Sequence, residues 1–263
     1  MLRSIFAKTL YEKRWAMLWW SLAMVVTTVL IVVLFPTFKD SFGQSLQNVP
    51  ESMKSILGEA ADYQKIEGFI ELQVLMQMVF FTIIYAVILG TGLIAGEENQ
   101  GTLETLLTNP VNRTRVYFEK FAASAVILAV VSFSMFFAIW LGAEMIGESI
   151  NLWRLFQATF MMWLLTMVFD VLGFALGAIT GRRGVSGGVA GAYAFAAYLV
   201  TSLAAAVTLL KSINHVSPFK YFNNTRILLN GLQADNVMVL TATCVVMLVI
   251  GWAVFNKRDV FQR

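Results

Sequence analysis

Residue types that carry chemistry are sparse in this chain and gather in one stretch. Gly96-Glu97-Glu98-Asn99-Gln100-Gly101-Thr102-Leu103-Glu104-Thr105-Leu106-Leu107-Thr108-Asn109-Pro110-Val111-Asn112-Arg113 sets three carboxylates and a guanidinium around a short run of leucines. Paired carboxylates serve acid–base chemistry when a substrate reaches them and ion pairing when a cation does. Asp170 stands alone in a long apolar run, and the chain has one histidine, His215, and one cysteine, Cys244. One of each makes neither a disulfide nor a Cys/His zinc site within the chain. No glycine precedes a lysine. A phosphate-cradling GxxxxGK[ST] loop is therefore absent, and the chain is not by itself a P-loop ATPase. No metal or cofactor is expected in the chain.

The elements that position these residues follow from hydropathy. The chain is 58% hydrophobic and 13% charged, with a mean hydropathy of +0.72, which does not suit a water-exposed surface. A spanning helix needs ~20 mainly apolar residues to cross ~30 Å. Six stretches qualify, near 15–35, 73–95, 121–143, 155–179, 188–210 and 237–255, within one transmembrane domain over 1–263. The fold class is an all-α integral membrane protein. The basic residues fall in short clusters between apolar runs and not along one polar face, so the net charge of +3 reads as a topology signal and not as a nucleic-acid footprint. Placing the N-terminus in the cytoplasm puts 12 Lys and Arg on that side and 7 on the other, which predicts both termini inside. The early charges at Arg3, Lys8, Lys13 and Arg14, with no small-residue cleavage site after the first apolar run, argue against a removed signal peptide.

Ahead of the first span, Leu2, Ile5, Phe6 and Leu10 recur at helical spacing with basic residues on other faces, which predicts an interfacial helix over 1–14; the alternative is an extension of the span itself. Residues 50–58 read as a short amphipathic helix in the first external loop, with Pro50 at its start and Gly58 at its end. The stretch 211–236 is too polar to span and too apolar for a free loop, so it is either a re-entrant or interfacial helical segment or an external helix packed on the bundle. Asp170 is the one ionisable residue well inside a span, so it must face protein or water, or be protonated. It serves as a hydrogen bond to a neighbouring helix or as a substrate-contacting residue. Gly173, Gly177 and Gly181 recur at four-residue spacing, which predicts close helix packing of the fourth span on the fifth; the alternative is a dimer contact.

Between the second and third spans, Leu103, Leu106 and Leu107 fall on one face of a two-turn helix that Pro110 ends. Such a face wants a partner, either another protein or the adjacent spans. The run from Gly96 to Arg113, with its paired acids, Gly-Thr-Leu-Glu, two leucines and Pro-x-x-Arg, resembles the cytoplasmic coupling segment of type-2 ABC exporter permeases. The basic start before a Trp-rich first span, Ser217-Pro218-Phe219 before the last, and Phe255-Asn256-Lys257-Arg258-Asp259 at the end agree with that resemblance. It implies a six-helix half that dimerises with a second copy or close relative in the bacterial inner membrane and moves cargo along the dimer interface. It further implies a separate cytoplasmic ATPase, carrying ATP and Mg, docked through Gly96, Glu97, Glu98, Gly101, Leu103, Glu104, Leu106, Leu107, Pro110 and Arg113. Two rival readings are an ion-coupled carrier using Asp170 and an intramembrane peptidase. Glu97-Glu98 is similar to the paired glutamates of the CAAX-processing type, but that pattern wants Arg where Thr102 stands, and histidines within later spans.

Overall fold

A computed structural model describes residues 4–47, 65–108, 111–204, 207–223 and 226–258. Among these there is no strand, and six helices are long and apolar enough to cross a membrane: Ile5–Ser41, Ile66–Asn99, Arg113–Ile146, Leu152–Thr180, Arg183–Leu203 and Ala234–Lys257, here spans 1 to 6. The predicted amphipathic helix over 50–58 lies outside the described residues.

Local sequence explains where the spans begin and end. Ser4 starts span 1 by accepting from the Ala7 amide (3.1 Å), Asn112 starts span 3 by accepting from Thr114 (2.9 Å), and Asn151 starts span 4 by accepting from Trp153 and Arg154. Each satisfies amide groups that the first turn leaves open. Gly147 and Gly181 close spans 3 and 4 in the left-handed region, at φ 73° and 63°. Because Gly181 ends span 4, span 5 begins at Arg183 and ends at Leu203, displaced toward the N-terminus from the expected 188–210. The expected interfacial helix over 1–14 is also corrected. One unbroken helix runs from Ile5 to Val33, because Glu119 of span 3 accepts from the Phe6 amide (3.0 Å) and Thr9 is buried. These contacts hold the first turns in line with the span.

Span 4 is the centre of the bundle, packed against spans 2, 3, 5 and 6, while span 1 lies along span 3. Gly173 and Gly177 let a neighbour approach closely, but the neighbour is span 2 and not the expected span 5. A Cβ at Gly173 would stand 3.0 Å from the Thr91 methyl, and one at Gly177 would stand 3.4 Å from Ala95. Spans 1, 5 and 6 leave most of their apolar surface uncovered by the chain itself.

The segment before span 6 folds as short helices, Thr208–Ile213, Pro218–Asn223 and Ile227–Asn230, that turn back into the bundle. The Ser217 hydroxyl donates to the Ala197 carbonyl (2.8 Å) and accepts from Thr201 (2.7 Å), and the Tyr193 hydroxyl donates to the Val216 carbonyl. Phe219, almost fully buried, sits among the rings of Phe80, Phe169 and Tyr198. The segment thus packs against spans 2, 4 and 5. Glu71 accepts from the Leu228 amide (2.6 Å), and Arg154 donates to the Leu228 and Leu229 carbonyls, so backbone that leaves regular helix is satisfied by spans 2 and 4.

Candidate functional site

The bundle end that carries Ile5 and Arg258 also carries the 96–113 stretch, and a polar cluster joins them. Span 2 widens into a π-helical turn over Gly92–Gly96 just before its acidic pair. Such turns expose carbonyls to other donors. Lys120 of span 3, fully buried, donates to the Leu93 carbonyl (2.8 Å) and forms an ion pair with Glu97. Glu98 pairs with Arg258 at the end of span 6, and Arg113 donates to the Arg258 carbonyl (2.5 Å). Asn99, with its amide oriented to suit its neighbours, donates to the carbonyls of Ala95 (3.2 Å) and Gly181 (3.0 Å). A Cβ at Gly181 would overlap the Glu98 carboxylate and the Arg258 guanidinium, so a side chain there would make the ion pair shift. The Thr114 hydroxyl accepts from the Trp252 ring nitrogen (3.1 Å), which adds a second tie between spans 3 and 6.

Glu97, Glu98 and Arg113, three of the residues that the resemblance assigns to docking, are thus engaged within the chain. Two of the leucines turn inward as well. A helix does form over Thr102–Leu107, entered through Gly101 at φ 71°, but Leu103 is fully buried in the chain's own core and Leu106 is half-buried against it. They pack under the adjacent spans because a free apolar face beside an apolar bundle gains most by covering it. The outward face is polar. Gln100, Gly101, Thr102, Thr105 and Thr108 are exposed, and Glu104 is half-exposed. Pro110 and the side chain of Leu107 lie outside what is described.

Asp170 is far from this cluster in role. It is fully buried on span 4, and the Ser124 hydroxyl of span 3 lies 2.8 Å from its Oδ2 and 2.9 Å from the Phe121 carbonyl. Its Oδ1 has no hydrogen-bond partner. The hydrogen bond to a neighbouring helix expected on the structural reading is therefore present. Among the described residues, no three His, Cys, Asp or Glu side chains gather as a metal site.

A family model described as ABC-2 family transporter protein matches residues 8–260. The chain belongs to the ABC-2 transporter family. An ABC-2 membrane domain is the permease component of an ABC transporter, a transport subunit and not itself an enzyme, and membership implies association with a membrane and an ABC ATPase. The peptidase and ion-coupled carrier readings are set aside by this membership. No curated protein matches the chain.

Within this ABC-2 chain, the residues that sequence reasoning missed are Lys120, Arg258 and Gly181 in its role as a turn. Arg258 was visible in the terminal Phe255-Asn256-Lys257-Arg258-Asp259 run, but its partner stands 160 residues earlier. Lys120 had a weaker signal still, since it counted only as one more basic residue beside a span.

Proposed function

We propose that this chain is the permease half of an ATP-driven exporter in a bacterial inner membrane, with both termini cytoplasmic. A separate cytoplasmic ATPase, which holds ATP and Mg, docks on the 96–113 loop. Two permease halves, identical or closely related, line the cargo path between them.

The observation that carries this reading is the cluster at the base of span 2. The loop is tied by Glu97 to span 3, by Asn99 to the turn between spans 4 and 5, and by Glu98 to span 6. A push on the short helix is therefore delivered to four spans at once, as coupling to an ATPase requires. The exposed threonine face leaves a polar surface for the ATPase to grip, while the leucines anchor the helix from behind. The excess of Lys and Arg on this side supports a cytoplasmic location. The uncovered apolar surfaces of spans 1, 5 and 6 suit lipid on one side and a second half on the other.

Thr105 is the test position, because it is exposed on the outward face of the short helix. Thr105→Trp is expected to leave membrane insertion and yield unchanged while an ABC ATPase co-expressed with the permease no longer co-purifies. A bulky ring in a packed interface should weaken docking at least ~10-fold, equivalent to ~1.4 kcal/mol. Wild-type recovery of the ATPase with Thr105→Trp and also with Thr102→Trp would place docking elsewhere.

A further inference from the structure

Asp170 faces helices that bring it no positive charge. Span 2 presents Tyr85, span 3 presents Ser124, and span 6 presents Cys244, with Tyr85 and Cys244 within electrostatic reach of the carboxyl. On span 5, the Tyr193 hydroxyl is engaged with the Val216 carbonyl. Lys120, one turn before Ser124 on span 3, is taken by the Leu93 carbonyl and Glu97. No described Lys or Arg forms an ion pair with Asp170. A charged carboxylate here would have one hydrogen bond, no solvent and a bare Oδ1 set against Gly90, whose missing side chain is what lets span 2 approach. A buried charge without a partner is not tolerated at such a crossing.

Hydrogen accounting at Ser124 points the same way. Its hydroxyl has one hydrogen and lies within bonding distance of two oxygens, the Phe121 carbonyl and Asp170 Oδ2. If both contacts are full hydrogen bonds, one oxygen must supply a second hydrogen. A carbonyl has none to give, whereas a carboxylic acid does.

We infer that Asp170 is a proton-binding site within the membrane: it holds a proton in the folded permease and donates it from Oδ2 to Ser124 Oγ, which donates in turn to the Phe121 carbonyl. The resulting chain is neutral and runs from span 4 to span 3. The site is separate from the ATPase-docking loop, and its test reads no transport, so it stands or falls apart from the exporter reading.

Infrared spectroscopy of the purified full-length permease at neutral pH tests it. The wild type should show a protonated carboxylic acid carbonyl band that shifts in D2O and is missing from Asp170→Asn. Ser124→Ala should keep that band and move it to higher frequency, because the acid has lost its acceptor. Should Asp170→Asn fail to fold, the Ser124→Ala shift by itself carries the assignment. The inference is overturned if Asp170→Asn removes carboxylate intensity and no acid band, or if Ser124→Ala leaves the acid region unchanged.

Discussion

Arg258→Met is the most informative perturbation of the terminal cluster, because it removes the cation from Glu98 and keeps the backbone carbonyl that Arg113 uses. The Glu98 side chain is 8% exposed and that of Arg258 18%, so the abandoned carboxylate finds little water. Removing one partner of a buried pair costs ~3–5 kcal/mol, and the residual exposure of Arg258 argues for the lower end. At ~2–4 °C per kcal/mol for a chain of this general size, a loss of ~3 kcal/mol lowers the unfolding midpoint by ~6–12 °C. Glu98→Gln should cost less, about 1.5–3 kcal/mol, the worth of a hydrogen bond to a charged group. In the double variant neither charge is stranded, so its loss should fall short of the sum by ~1–3 kcal/mol. Thermal unfolding of the detergent-solubilised permease, followed through its seven tryptophans, measures all three. If the two single losses add to within ~0.5 kcal/mol, the side chains are not coupled and the cluster does not join the loop to span 6.

Two further outcomes follow from the same geometry. Gly181→Ala places a Cβ against both members of the Glu98–Arg258 pair and forces a left-handed φ on alanine, itself worth ~1–2 kcal/mol. It should therefore lower the unfolding midpoint well below that of Gly184→Ala, where nothing lies within 4 Å; equal midpoints would refute the packing at Gly181. Ser217→Ala removes the hydroxyl that bonds the Ala197 carbonyl and the Thr201 hydroxyl, and because Thr201 keeps Asn214 as acceptor the cost should be ~0.5–1.5 kcal/mol. Hydrogen exchange should rise over 208–223 and not over spans 2 to 4, and a uniform rise would mean the segment is not a separate unit.

Most of the architecture is local and was legible. Hydropathy needs only ~20 consecutive residues to declare a span, so five of the six stretches lie within the observed helices, and the fifth failed only at its ends. Span 5 starts directly after the Gly181 turn, and its glycine-rich first turns are held in helix against span 4. The N-terminal segment shows the limit of periodicity. An amphipathic pattern is the same for a helix lying on a membrane and for one continuing a span, and only the Phe6–Glu119 contact, 113 residues apart, separates them.

The chain's sequence by itself determined a six-span permease with a helical loop between spans 2 and 3, a lone intramembrane acid and a family membership carried by short motifs. Which way each of these faces was decided by the tertiary structure. Amphipathicity found the leucine face of 102–107, but burial goes to whichever apolar surface is nearest, and that surface was the chain's own bundle. Glu97 and Glu98 were recognisable as charges needing partners, yet the cations that answer them, Lys120 and Arg258, lie 23 and 160 residues away, and no local pattern encodes that distance. Gly173 and Gly177 offered a close approach to any helix that passed, and span 2 took it because span 4 sits at the centre with several neighbours to choose from. Small side chains and charges announce a need in one dimension, and three-dimensional packing selects what meets it.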